Sequence, residues 1–330
     1  MKTALTTKML PAGEAGVNEA ARRLAEGGLV AFPTETVYGL GADATNAAAI
    51  ARLYEAKGRP LFNPLISHVE GLASAHRIAR FDATAITLAQ AFWPGPLTLV
   101  LPRREGCEVA DLATAGLETI AVRVPAHPVA HAILKAVGKP VVAPSANLSG
   151  HVSPTTAAHV QSDLAGRIEL IVDGGPVAVG VESTIVGCFE RPMLLRPGGL
   201  PREEIERVLG RSLAQPPREI ESDNGQPLAP GMLTSHYAPR ARVRLNVRSL
   251  EPGEALLAFG PVPVAGQDQA AAILNLSTGG DLAEAATRLF GYLRSLDATN
   301  APTIAVTPIP VEGLGEAIND RLRRAAAGRE

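Results

Sequence analysis

The stretch LVAFPTETVYGLGADAT, Leu29 to Thr45, decides how the first half of the chain is read. Leu29-Val30-Ala31-Phe32 reads as a short strand, and Gly39-x-Gly41-x-x-Ala44 matches the relaxed glycine fingerprint of a dinucleotide-binding turn. That fingerprint needs its glycines directly after the strand, a helix opening on the third small residue, and an acid about 20 residues further on. Here Pro33-Thr34-Glu35-Thr36 separates strand from glycines, and the later position reads Lys57-Gly58-Arg59-Pro60, with no acid. The glycines are therefore expected to make a turn, with no pyrophosphate clasp.

A chain of 330 residues has room for two domains. Its 46% hydrophobic and 19% charged residues describe a globular protein with a substantial core, and with aromatics at 4% that core must rest on Leu, Val, Ile and Ala. A formal charge of −2 supplies no global basic field for nucleic acid, leaving only a local patch. Cys107 and Cys188 can build neither a disulfide framework nor a zinc site, as suits a reducing compartment. MKTALTTKMLPAGEAG has no apolar leader core, and nowhere do 18 apolar residues run together. A cytoplasmic protein with no membrane span is expected.

Outward from the opening stretch, Asn18–Ala25 and Ala47–Lys57 read as helices, the second capped by Asn46. Short β-like runs follow at Pro64–Val69, Leu97–Leu101, Ile120–Val124, Pro140–Ala143, Glu169–Val172, Ser183–Val186 and Met193–Leu195. Helices are expected over FDATAITLAQAFW, stopped by Pro94, and over Pro128–Val137. This alternation is an α/β layered domain within residues 1–210. Residues 211–242 carry five prolines and few large apolar groups, a linker long enough to fold back over that domain. Residues 243–330 resume with strands at Ala255–Phe259, Ala271–Leu276 and Thr303–Val306, and helices at Asp281–Leu296 and Leu314–Ala326. They form a small parallel-sheet domain.

No phosphate-loop lysine motif, nucleophile elbow, H-E-x-x-H or C-x-x-C is present. His127 and His131 lie four apart without a partner acid and are read as surface or core residues. Lys57 and Arg59 suit a helix C-terminus, yet Asn63, Ser67 and His68 follow where a surface helix end needs no polar groups. Arg123 sits inside an apolar strand and needs an anion. A ligand phosphate or carboxylate would serve, and so would an internal bridge to Glu35 or Glu182; both readings stay open. Ser145, Asn147, Ser149 and Ser153 line a loop, and Ser183, Thr184 and Arg196 flank two further strand ends. Four cations (Lys57, Arg59, Arg123 and Arg196) among these hydroxyls suit a polyanion such as a nucleoside triphosphate. Spacing alone names no reaction.

PTETVYGLG, KGRPLFNPL, WPGPLT, APSANLSG, STIV and LRPG occur in the order and spacing of the YrdC-like family. APGMLTSHYAP, followed by a small α/β domain, resembles the family's long two-domain form, and the likeness runs from about residue 15 to 324. One departure is Gly187-Cys188 after STIV, where an acid is expected. The resemblance implies a twisted mixed sheet with helices around a large concave cavity, plus a small Rossmann-like C-terminal domain. It further implies a nucleotidyltransferase that makes L-threonylcarbamoyladenylate and pyrophosphate from L-threonine, bicarbonate (or CO2) and ATP. The product would feed the N6-threonylcarbamoyl modification of tRNA next to the anticodon, by hand-over to the tRNA-modifying transfer machinery.

By the same resemblance Lys57 and Arg59 are catalytic. Arg59, Asn63, Thr119, Ser145, Asn147, Ser153, Arg196 and Tyr237 would contact ATP, with Tyr237 arriving as the linker closes over the cavity. Thr36, His68, Arg123, the backbone at Ala143, and Ser183 would frame threonine. Mg2+ would arrive with ATP, with no metal site of the protein's own. The alternative from another class is a tRNA or double-stranded RNA-binding module using a concave basic surface; the net charge and the lack of aromatic–basic stripes argue against stable nucleic-acid binding. A related carbamoyl-adenylate enzyme of hydrogenase maturation shares the fold but carries zinc-finger and acylphosphatase regions not seen in this chain.

Overall fold

The computed structural model describes residues 5–215 and 237–327. Most of the proline-rich segment, and with it most of APGMLTSHYAP, lies outside the described residues; Tyr237 lies within them. The first domain runs β1 (Lys8–Pro11), α1 (Glu14–Ala25), β2 (Val30–Pro33), β3 (Tyr38–Asp43), α2 (Ala47–Lys57), β4 (Ile66–His68), α3 (Leu72–Ile78), α4 (Ala83–Phe92), β5 (Leu97–Pro102) and α5 (Asp111–Thr114). It continues with β6 (Thr119–Arg123), α6 (Pro128–Val137), β7 (Val141–Val142), α7 (Ala157–Leu164), β8 (Leu170–Asp173), β9 (Thr184–Gly187), β10 (Met193–Arg196) and α8 (Arg202–Leu209). Its strands form one mixed sheet in the order β1-β8-β2-β3-β7-β4-β6-β5-β9-β10. Residues 211–215 still run beside β10, where the Leu194 amide donates to the Ala214 carbonyl and the Ala214 amide to the Pro192 carbonyl.

The second domain is β11 (Arg242–Arg244), β12 (Ala255–Ala258), β13 (Ala272–Asn275), α9 (Leu282–Asp297), β14 (Thr303–Val306) and α10 (Leu314–Ala326). Its sheet, β11-β14-β12-β13, is parallel throughout, as βα crossovers require. The apolar stripe of α9 is buried, with Ala286, Leu289, Leu293 and Leu296 inside. This core does not stop at the domain border: Val37, Val152 and Val181 of the first domain and Tyr237 pack into it. No helix among the described residues is long and apolar enough to cross a membrane.

The opening stretch needs a correction. Gly39 and Gly41 do not turn the chain; they lie inside β3, paired antiparallel with β2 in the register Val30↔Gly41 and Phe32↔Gly39. The turn is Thr34-Glu35-Thr36-Val37, where Thr34 Oγ1 donates to the Val37 carbonyl at 2.7 Å. The glycines serve close packing. A Cβ on Gly41 would stand 2.7 Å from Phe32 Cε1, and one on Gly39 would stand 3.1 Å from Ala143 Cβ.

The end of one helix aims a functional residue. Asn46 accepts from the Ala48 and Ala49 amides to start α2, and Gly58, in the left-handed conformation at φ 61°, stops it. The chain reverses there and carries Arg59 inward. His127 caps α6 by accepting from the Val129 amide, so its place is structural.

Candidate active site

On one face of β4, β5, β6, β9 and β10 lies an apolar cluster separate from the main core. Ile66, Val100, Ala121, Ile185 and Leu195 form a small apolar floor there. Beside it an open-mouthed cavity is lined by Thr36, Val37, Arg59, Ile66, His68, Arg123, Ala143, Pro144, Ser145, Glu182, Arg196 and Tyr237. Residues from across the first domain, and Tyr237 from the linker, meet there. The strands bring them together because β4 pairs with β6 in the register His68↔Arg123.

Arg123 is held at three points. Nη2 donates to Glu35 Oε1 at 2.6 Å, Nη1 to Thr36 Oγ1 at 2.9 Å, and Nε to the Gly95 carbonyl at 3.3 Å. Of the two internal partners considered for it, Glu35 is the one used; Glu182 pairs with Arg321 instead. The ion pair leaves the guanidinium on the cavity wall, so the internal and ligand readings are compatible.

His68 is buried beside it, with Nδ1 3.2 Å from the Ile66 carbonyl. A carbonyl only accepts, so Nδ1 carries the proton and Nε2 presents a lone pair. Burial, reinforced by the Arg123 charge, pushes the imidazole down to about 3, which keeps it neutral at physiological pH.

Arg59 donates to the Asn63 and Pro64 carbonyls at 3.3 and 3.0 Å. Burial lowers it to about 10, still protonated near neutrality. Arg196, at the end of β10, donates from Nη2 to the Ser183 carbonyl at 2.9 Å and to Ser183 Oγ at 3.2 Å.

Several residues expected to touch ligand stand behind the wall. Lys57 is not among the residues lining the cavity; its Nζ donates to the Ser145 and Asn147 carbonyls at 2.5 Å each. Burial, and then the Arg59 charge, holds its amine well below the usual lysine range. Asn147 donates to the Leu148 and His151 carbonyls, and its Oδ1, like that of Asn63, is buried without a partner among the described residues. Ser153 Oγ donates to Glu182 Oε1, while Ser183 Oγ shares a 2.8 Å hydrogen bond with Thr98. Thr119 lies on the same strand face as Arg123 but four residues away, about 13 Å along β6. Residue patterns missed Glu182 as a wall residue and Arg321 entirely; in RLRRAAAGRE nothing separates Arg321 from the arginines of a surface helix.

The carboxylates at the cavity are already engaged: Glu35 by Arg123, and Glu182 by Arg321 and Ser153. Among the described residues no group of three or more His, Cys, Asp or Glu side chains is placed to hold a metal ion.

Fold and cavity together define an α/β protein with a buried, arginine-lined cavity against one face of a mixed sheet. The family model described as "Telomere recombination", for Sua5, YciO and YrdC proteins, matches residues 22–198. The one described as "Threonylcarbamoyl-AMP synthase, C-terminal domain" matches residues 200–327. Threonylcarbamoyl-AMP synthase of Bacillus subtilis strain 168 is 41% identical over 336 residues, which cover 98% of this chain and 96% of that protein. Its counterpart from Pyrococcus abyssi is 44% identical over 328 residues, 94% of each chain. The crystal structure of P. abyssi Sua5 complexed with L-threonine superposes with a TM-score of 0.86 at 39% identity, covering 98% of both chains. Escherichia coli YciO, at 23% identity and a TM-score of 0.54, shares the fold over 59% of this chain. The chain belongs to the Sua5/YrdC family, in its two-domain form.

Proposed function

We propose that the cavity makes L-threonylcarbamoyladenylate from L-threonine, bicarbonate or CO2, and ATP, with release of pyrophosphate. One observation carries this reading: Arg59, Arg123, Arg196 and the neutral His68 converge on a single buried cavity. The chain that holds it matches threonylcarbamoyl-AMP synthases over nearly its whole length.

In this reading the unprotonated threonine amine attacks the carbon of CO2 and gives up a proton to solvent, or attacks bicarbonate and expels water, to give a carbamate. A carbamate oxygen then attacks the α-phosphorus, the α–β bridging P–O bond breaks, and pyrophosphate leaves. No covalent nucleophile is needed; alignment and charge neutralisation do the catalysis. Arg123, already oriented by Glu35 and Thr36, takes the threonine carboxylate, and the His68 lone pair accepts from the amino acid's N–H or O–H donors. Arg59 and Arg196 meet the phosphates. Lys57 holds the Ser145–Asn147 loop in register, so its contribution passes through that loop. Mg2+ would come with ATP, held by phosphate oxygens and water, and would offset triphosphate charge.

The labile mixed anhydride then passes to the machinery that completes N6-threonylcarbamoyladenosine in tRNA, in the cytoplasm. An RNA-binding role for the same cations is not favoured, because Arg59, Arg123 and Arg196 are each less than a tenth exposed and out of a duplex's reach. The test is incubation of purified protein with ATP, labelled bicarbonate and threonine. Threonine-dependent pyrophosphate and a labelled adenylate are expected; the lack of both would sink the reading.

A further inference from the structure

The second domain places a charged side chain behind the cavity wall. Arg321 of α10 is fully buried. Nε donates to Glu182 Oε2 at 2.8 Å, and Nη1 to the Pro197 carbonyl at 3.0 Å and to Asp320 Oδ2 at 2.6 Å. Its guanidinium carbon lies 5.2 Å from the centre of the Tyr237 ring, which also stacks on Phe290 of α9 at 5.6 Å. Each contact outside its own helix falls on a cavity-lining residue or the next one along: Glu182, Tyr237, and Pro197 after Arg196.

We infer that Arg321 is a positioning residue of the cavity, fixing Glu182, the Arg196–Pro197 turn and Tyr237 as one rigid wall from the second domain. It does not touch the cavity itself. A guanidinium at this depth is costly unless paired, and here Nε and Nη1 are engaged while Nη2 has no partner among the described residues; domain docking does not require such a group. Docking is served at the periphery by Arg202–Glu316 and by Arg294–Asp163. Arg321 instead places planar, charge-assisted hydrogen bonds on the far side of the residues that face the ligand. Glu182 is gripped from both ends, by Arg321 on one oxygen and Ser153 on the other. The threonine end of the cavity is held separately, by Glu35 on Arg123. The second domain therefore contributes to the site by holding a wall still. The inference rests on the proposed synthase reading only for the substrate whose KM reports it.

The test compares full-length wild type with Arg321→Met, Arg321→Lys and the peripheral control Arg202→Ala, by hydrogen exchange and by kinetics. In Arg321→Met, amides of residues 180–184 and 237–240 are expected to exchange at least about tenfold faster while α9 stays protected. KM for ATP should rise about tenfold and KM for threonine stay within about twofold, since the two ends are held independently. Arg321→Lys should recover part of both effects, and Arg202→Ala should show neither. Unchanged exchange in those segments, or an equal effect from Arg202→Ala, would overturn the inference. If Arg321→Met loses the protection of α9, Arg321→Lys is judged on the same segments by the same criteria. A wild type that forms no adenylate would defeat the synthase reading and leave the exchange comparison to decide this one.

Discussion

Glu35 and Arg123, 88 residues apart, form a buried ion pair in which Arg123 Nη2 lies 2.6 Å from Glu35 Oε1, and the same guanidinium forms part of the cavity wall. The pair ties the β2–β3 turn to the end of β6. It both stabilises the fold and aims a cation. Removing one partner leaves a buried charge uncompensated, so Glu35→Ala should cost about 3–5 kcal/mol in urea unfolding. Replacing both residues by methionine should return much of that stability while calorimetric threonine binding stays lost. Stability and binding recovered together would show that Arg123 does not face the substrate.

Lys57 should behave as a support. Lys57→Met removes the donors to the Ser145 and Asn147 carbonyls and should cost about 1–3 kcal/mol. Turnover should fall at least about tenfold through displacement of that loop, visible as faster hydrogen exchange over residues 145–150. Lost turnover with an undisturbed loop would place Lys57 on the substrate instead.

His68 predicts an acid dependence. Its folded-state value of about 3 lies below the 6.5 of the free imidazole, so between those values the unfolded chain binds a proton that the folded chain does not. Stability therefore falls as pH drops through 6.5 and levels off near 3, by at most ~5 kcal/mol. His159, lowered to about 4 mainly by burial, adds to the same window. His68→Gln should remove one part of the slope and leave the other. An unchanged urea-midpoint profile would contradict a neutral His68 in the fold.

The two strand glycines should separate stability from binding. Gly41→Ala drives a methyl to 2.7 Å from Phe32 Cε1 and 3.2 Å from the Val30 carbonyl, which should cost about 1–3 kcal/mol. Gly39→Ala meets Ala143 at a softer 3.1 Å, and Ala143 lines the cavity. Its effect should show more in the threonine KM than in the melting temperature. The reverse ranking would mean that β3 moves as a unit.

Local signals were read where local physics decides the outcome. The helix at Ala47–Lys57 was legible to its ends because Asn46 supplies a side-chain acceptor at one terminus and Gly58 adopts a left-handed conformation at the other. The βα alternation after residue 250 was legible because each apolar stripe is complete within its own segment. The segments at Leu72–Ile78, Ala157–Leu164 and Arg202–Leu209 went unread as helices. Each is eight residues or fewer, too short for a periodic pattern to stand out. Gly39 and Gly41 were misread as a turn because their reason, close approach to Phe32 and Ala143, lies in strand pairing that no nearby residue announces.

The order and spacing of six short motifs by themselves determined the family, and with it the expectation of an anion-binding cavity. Chemistry-bearing residue types at set intervals survive in the chain whatever the fold does with them. Which of those residues face that cavity was decided only by the tertiary structure. Sequence left Arg123 a choice between Glu35, Glu182 and a ligand; the sheet register gave it Glu35 and a place on the cavity wall, and left Glu182 to Arg321. Sequence put Lys57 and Arg59 side by side, and the reversal at Gly58 sent one behind the loop and the other into the cavity. Partnership between charges 88 or 139 residues apart is a property of packing, since burial makes each demand a counter-charge and only the folded chain settles which one is within reach.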